Sequence, residues 1–146
     1  MAKVLVVYAT RGGQTKRIAE LIAEGLRIAG VEVEVADIAT IKSEQDLQGY
    51  DGYCFGSATY HGQMMGSMKT MLFLAEKAGL DGKAGASFGS YGWSGEASDR
   101  IFETMRHVLN MDVVASGALR LKSAVLDGAV PMAHTYGQEL AAKLTG

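Results

Sequence analysis

Five short apolar segments alternate with stretches of helical periodicity along this 146-residue chain, and no other feature constrains its fold as much. The apolar segments are too short to be helices, and the connections between them are too long to be hairpin turns. Strands joined by such crossovers run parallel, in a sheet that helices cover on both faces. The predicted strands are residues 3–8, 31–36, 50–55, 83–88 and 113–118, and the helical stretches are residues 18–26, 41–47, 64–78, 96–110 and 130–143.

The composition of the strands predicts their positions in the sheet. Residues 3–8 form a nearly continuous apolar run, which is typical of a strand buried on both faces. Residues 31–36 alternate valine with glutamate, a pattern that suits the edge of a sheet. These observations fit the doubly wound order 2-1-3-4-5. We therefore predict a single α/β domain over residues 1–146, with a five-stranded parallel sheet and helices on both faces.

The overall composition excludes several classes of protein. A hydrophobic content of 48% with 21% charged residues is typical of an ordinary globular domain. No apolar run approaches the ~20 residues of a membrane span, and the N-terminus lacks a signal-peptide core, so we expect a cytoplasmic protein. The net charge of −2 comes without a basic block, which argues against nucleic-acid binding.

The sulfur-containing residues and the histidines are predicted to have no metal-binding role. One cysteine and three scattered histidines offer no metal-ligand spacing, and one cysteine cannot form an internal disulfide. Met64, Met65, Met68 and Met71 recur at helical spacing, which favours packing over a soft-metal site. Cys54 lies late in a predicted buried strand and is interpreted as a small hydrophobe.

Glycine is the unusual component, with nineteen residues against one proline. The glycines cluster after the first, third and fourth predicted strands. In a doubly wound sheet, ligands bind beyond the carboxyl ends of the strands, where the strand order reverses. We therefore predict that these three loops together form a binding cleft.

The loop after the first strand has the composition of an anion-binding turn. It leads directly into a predicted helix, so its backbone N–H groups and its threonine hydroxyls can donate to a phosphate. The alternative is a glycine-containing turn whose threonine caps the helix. Neither GxxxxGK[ST] nor GxGxxG is present, which argues against ATP, GTP or a dinucleotide. The loop consists of Thr10, Arg11, Gly12, Gly13, Gln14 and Thr15.

The first strand and this loop resemble the flavodoxin signature. The matching positions are Val6, Val7, Tyr8, Ala9, Thr10, Gly13, Thr15, Ala19 and Ile22. In flavodoxins this loop holds the phosphate of flavin mononucleotide (FMN), so the resemblance implies that residues 10–15 bind the FMN phosphate here. Whether Arg11 contacts the phosphate or points to solvent stays open.

The other two loops carry the resemblance further. The second resembles the flavodoxin loop GSPTY-x-G with Ala58 in place of the proline, which implies flavin contacts from Ser57, Ala58, Thr59, Tyr60, His61 and Gly62. A peptide of this loop would turn toward flavin N5, either the one between residues 61 and 62, our hypothesis, or the one between residues 60 and 61.

The third loop, FGSYGWSGEA, is similar to the flavin loop in the flavodoxin-like domain of flavodiiron proteins. This similarity implies that the isoalloxazine ring is bordered by Ser90, Tyr91, Gly92, Trp93 and Gly95. The composition of this loop also favours a stacking role over a core position, because the only tryptophan is flanked by glycines and lies outside any apolar periodic run. Trp93 is therefore the predicted stacking ring.

The resemblance to short-chain flavodoxins implies a function in electron transfer. No acid, base or nucleophile stands out, and a flavin supplies the chemistry itself. We expect a monomeric carrier that passes electrons between a reductase donor and an acceptor protein, and that is not an enzyme. Three alternatives stay open: an FMN-dependent NAD(P)H:quinone reductase, an electron-donor module for a flavodiiron-type oxidase, and a scaffold without flavin. The nearly neutral charge departs from strongly acidic flavodoxins and leaves the partner undecided.

Overall fold

The structure is a computed structural model that describes residues 2–10, 13–60, 63–90, 96–121 and 128–145. Its strands are β1 (Lys3–Ala9), β2 (Glu32–Asp37), β3 (Gly52–Tyr60), β4 (Gln63–Met64), β5 (Ala84–Ser90), β6 (Asp112–Val113) and β7 (Leu119–Leu121). Its α-helices are α1 (Gln14–Ile28), α2 (Gly66–Ala78), α3 (Glu96–His107) and α4 (Ala129–Thr145), and 3₁₀ turns cover Ile38–Thr40 and Glu44–Leu47. Of the helices in these ranges, none has both the length and the apolar character that a membrane span requires.

The sheet has the predicted doubly wound order. Its parallel strands follow one another as β2-β1-β3-β5-β6, which confirms the order 2-1-3-4-5 and the edge position of the second strand. Two short strands extend this path, because β4 pairs antiparallel with β3 and β7 pairs parallel with β5. The β4 hairpin was not predicted, since two residues carry no periodicity.

Two hydrophobic cores lie on opposite faces of the sheet. Alternate residues of β1 enter them, with Val4 and Val6 on the face covered by α1 and α4 and with Leu5 and Val7 on the face covered by α2 and α3. This explains the continuous apolar run of β1, because every second residue has a helix to pack against.

The predicted packing roles of the sulfur-containing residues are confirmed where their side chains are described. Met68 and Met71 are buried in the α2/α3 core, and Met65 packs against it. Cys54 is fully buried in the other core, where burial raises the pKa of its thiol and keeps it protonated.

The fifth predicted strand is interrupted. Instead of one strand over residues 113–118, the structure has β6 and β7 with residues 114–118 outside the ladder between them. The N–H of Ser87 on β5 faces this gap and donates to the hydroxyl of Tyr136 at 3.1 Å. That hydroxyl donates in turn to the carbonyl of Gly117 at 2.7 Å, and burial raises the pKa of Tyr136 so that it stays a donor. A side chain of α4 therefore replaces the missing ladder hydrogen bonds.

Helices α1 and α4 approach each other backbone to backbone. A Cβ added at Gly25 would lie 2.3 Å from the carbonyl oxygen of His134, and one added at Gly137 would lie 2.4 Å from that of Ile22. At the same crossing, Nε2 of His134 lies 2.9 Å from a carboxylate oxygen of Glu24. The absence of two side chains thus brings α4 close enough to α1 for the Tyr136 ring to enter the core.

Candidate functional site at the carboxyl edge of the sheet

The carboxyl ends of β1, β3 and β5 lie side by side, as the sequence predicts. The strand register pairs Ala9 with Ser57 and Ala58 with Ser90. The strand order reverses at this edge, since β1 connects to β2 on one side and β2 connects onward to β3 on the other. Of the predicted site residues, the structure describes Thr10, Gly13, Gln14, Thr15, Ser57, Ala58, Thr59, Tyr60 and Ser90, whereas Arg11, Gly12, His61, Gly62, Tyr91, Gly92, Trp93 and Gly95 lie outside the described residues.

The first loop leads into α1 through a glycine with a left-handed backbone. Gly13 has φ 87°, which a residue without a Cβ adopts without strain, and its N–H donates to Oγ1 of Thr10 at 3.0 Å. Gly13 is the N-cap residue of α1 and has no side chain with which to cap the helix, and the first turn of α1 contains no acidic residue. The N-cap residue is thus a glycine and not a threonine, although the Thr10 hydroxyl accepts the N–H of that glycine. The positive end of the helix dipole is left for an anion.

A buried hydrogen bond joins the first loop to the third. Thr15 is fully buried in the first turn of α1, and its Oγ1 lies 2.8 Å from Oγ of Ser90 at the end of β5. The two residues are 75 positions apart in the sequence, and their motifs gave no sign that their side chains meet.

Hydroxyl groups also fix the second loop. Oγ of Ser57 accepts the N–H of Met65 at 3.0 Å and donates to the carbonyl of Ala58 at 2.9 Å, which closes the hairpin of β3 and β4. Oγ1 of Thr59 accepts the N–H of Ala97 in the first turn of α3 at 3.2 Å. The second loop is therefore attached to the helix that follows the third loop. The flavin contacts predicted for Ser57 and Thr59 stay predictions.

Two glycines that were not among the predicted site residues lie where the ends of β3 and β5 pack closely together. A Cβ at Gly89 would lie 2.8 Å from the carbonyl oxygen of Ser57, and a Cβ at Gly56 would lie 2.1 Å from the ring of Phe88. The strand ends therefore depend on glycine for their close contact. The clustering of glycines in the sequence was the signal that marked them.

The fold and this edge define an α/β protein with a candidate binding site at the topological switch point of its sheet. A family model described as a flavodoxin domain matches residues 5–111. The chain belongs to the flavodoxin family.

Individual relatives agree with this assignment. A protein named diflavin flavoprotein A 2 from Thermosynechococcus vestitus is 39% identical over 102 residues, which make up 68% of this chain and 18% of that protein. This chain spans less than a fifth of the length of the first curated relatives that it matches. The solved structure of a flavodoxin from the domain Archaea is 32% identical, with a TM-score of 0.89 and 99% of both chains covered.

A solved flavodiiron core from Synechocystis is 27% identical with a TM-score of 0.89, over 99% of this chain and 36% of that chain. The resemblance to flavodoxins and to the flavodoxin-like domain of flavodiiron proteins is thus confirmed.

FMN is the cofactor of this family and of this chain, and the described residues fit its phosphate. The N-terminus of α1 follows a glycine in the left-handed conformation, and no carboxylate lies in the first turn of α1 to repel the anion. Thr10, Thr15 and Ser90, which lie beside the start of α1, carry hydroxyl groups that can donate to an anion or to one another.

Proposed function

We propose that the protein is an electron carrier that holds FMN at the carboxyl edge of its sheet and passes electrons between redox partner proteins. The N-terminus of α1 beside the strand ends supports this best, because a glycine occupies its N-cap position and its first turn has no acidic residue, which suits a bound phosphate. Among the predicted site residues that the structure describes, none carries a carboxylate, imidazole, amine or thiol that could serve as a general acid or base. FMN, when bound, supplies redox chemistry in steps of one or two electrons.

We assign the phosphate to the first loop and the ring to the other two. Oγ1 of Thr10 accepts the N–H of Gly13, so its own hydrogen is left to donate elsewhere. The inferred phosphate ligands are Thr10, Arg11, Gly12, Gly13, Gln14 and Thr15. The inferred ring contacts are Ser57, Ala58, Thr59, Tyr60, His61, Gly62, Ser90, Tyr91, Gly92, Trp93 and Gly95.

Gly13→Ala should weaken FMN binding by up to about tenfold. A Cβ on a residue in the left-handed region costs roughly 1–2 kcal/mol. The loop without FMN can relieve this strain by changing its conformation, but the loop that binds the phosphate cannot, so the strain is subtracted from the binding free energy. The affinity is measured by titrating FMN with the apoprotein and following the quenching of flavin fluorescence.

Gly30→Ala is the matched control for this variant. Gly30 has φ 88° and lies in open space after α1, so alanine adds the same strain at a distance from the cleft. Its FMN affinity should equal that of the wild type. Equal losses in the two variants would show that the strain acts through general stability and not through the phosphate loop.

The proposed function is tested by comparing two activities of the FMN-loaded protein, the oxidation of NAD(P)H by the protein alone and the transfer of electrons from an added reductase to an acceptor protein. The FMN-loaded protein alone should not oxidise NAD(P)H in the presence of a quinone. After addition of a catalytic amount of an NADPH-dependent flavoprotein reductase, it should pass electrons to cytochrome c. Oxidation of NAD(P)H by the chain alone would instead identify a quinone reductase.

The similarity to a flavodiiron core favours a second candidate, an electron donor to a separate di-iron protein. Anaerobically reduced protein would be mixed with a flavodiiron oxidase and oxygen. Oxygen consumption that requires both proteins would support this function. Consumption at the rate of the reduced chain alone would contradict it.

A further inference from the structure

The bond between Thr15 and Ser90 connects the loop assigned to the phosphate with a loop assigned to the ring. The two hydroxyl oxygens are 2.8 Å apart, Thr15 is 0% exposed, and Ser90 is 8% exposed. Both groups are therefore largely shielded from water, which would otherwise replace either partner at little cost.

Each hydroxyl has a single hydrogen, which decides the direction of this bond when an anion is present. If Thr15 donates its hydrogen to the phosphate, its oxygen can only accept from Ser90. The hydrogens then point in one direction, from Ser90 to Thr15 to the phosphate, and each bond polarises the next.

Of the two hydroxyl-bearing residues, Ser90 is the one whose backbone is held from both sides. Ser90 is the last residue of β5 and pairs with Ala58 on one side and Leu121 on the other. Thr15 lies instead in the first turn of α1, directly after the first loop. A serine held from both sides can thus determine the rotamer of the threonine.

We propose that Ser90 is a positioning residue for the FMN phosphate, which holds the Thr15 hydroxyl and donates to it so that Thr15 donates to the phosphate. This role replaces the ring contact that the family resemblance implies for Ser90 and that was inferred for it above. It rests on the proposed placement of the phosphate at the first loop. It predicts that Ser90 contributes to the discrimination between FMN and riboflavin, which has no phosphate.

Ser90→Ala should weaken FMN binding about tenfold, which corresponds to about 1.4 kcal/mol, and should change riboflavin affinity less than about twofold. Both affinities are measured on the apoprotein by flavin fluorescence, after circular dichroism has verified folding. Ser90→Cys, which is slightly larger than serine and is a weak donor, should give the same result and replaces the alanine variant if that variant does not fold.

Ser87→Ala is the matched control. Ser87 is a fully buried serine of the same strand, but its hydroxyl donates to the carbonyl of Ser98 at 2.8 Å. Its replacement removes the same atom from β5, so the ratio of FMN to riboflavin affinity should stay at the wild-type value.

A double-mutant cycle tests whether Ser90 acts through Thr15. The combined Ser90→Ala and Thr15→Val variant should lose no more FMN affinity than Thr15→Val alone. Additive losses, equal losses of FMN and riboflavin affinity in Ser90→Ala, or no loss in either would each overturn the positioning role. A protein that binds FMN with this selectivity but fails to transfer electrons would contradict only the proposed function.

Discussion

Gly25→Ala should lower the free energy of unfolding by about 3 kcal/mol, because the new methyl group has no space between α1 and α4. Its Cβ would lie 2.3 Å from the carbonyl oxygen of His134 and 2.7 Å from the Cα of the same residue. Both are backbone atoms, so a change of side-chain rotamer cannot relieve the contact and the helices must separate. Urea unfolding followed by circular dichroism measures the loss.

Gly66→Ala is the control for the glycine-to-alanine change itself. Gly66 begins α2 and has no atom within 4 Å of the position that a Cβ would take. Alanine there should stabilise the protein by about 0.5 kcal/mol, because it reduces the freedom of the unfolded chain. A loss at Gly25 no larger than about 0.5 kcal/mol would mean that α4 does not lie against α1 as closely as the structure has it.

The order of the elements and of the sheet could be predicted from the sequence because both depend on local patterns. Alternate residues of β1 enter the two cores, and the alternation of valine and glutamate in β2 follows from one covered face and one exposed face. Such patterns are readable without knowledge of any distant residue.

The interruption of the fifth strand could not be predicted, because a distant residue determines it. Residues 113–118 are small or β-branched and suit a strand locally. The structure instead holds the segment by contacts from α4, through the hydroxyl of Tyr136 and through the carboxylate of Glu139, which accepts from both N and Oγ of Ser116. Neither contact leaves a pattern near residue 116.

In the site, too, the features that depend on local sequence could be predicted, and those that depend on distant residues could not. The motifs predicted which loops meet at the carboxyl edge, and the strand register brings their ends together. They could not predict that Thr15 bonds to Ser90 or that Thr59 bonds to the N–H of Ala97. A threonine or serine hydroxyl fits many partners, so its actual partner depends on how α1, β3 and β5 are placed.

Tyr136→Phe should lower the free energy of unfolding by about 2 kcal/mol, because it leaves two backbone groups without their partner. The ring is 5% exposed and would stay in place, so the variant removes little more than the hydroxyl. The N–H of Ser87 would then lose its acceptor, and the carbonyl of Gly117 would lose its donor. Urea unfolding measures the loss, and faster hydrogen exchange of the Ser87 amide would locate it at the gap in the fifth strand.

Tyr50→Phe is the matched control, since it removes the same atom from a half-buried ring whose hydrogen bond is exposed to solvent. The Tyr50 hydroxyl donates to a carboxylate oxygen of Glu34 at 2.5 Å, and burial together with that carboxylate raises the pKa of Tyr50 to about 12. Water can replace this bond on both partners, so the loss should be about 0.5 kcal/mol or less. Equal losses in the two variants would mean that the Tyr136 hydroxyl does no more than a surface hydrogen bond. Residues 114–118 would then need another explanation for leaving the sheet.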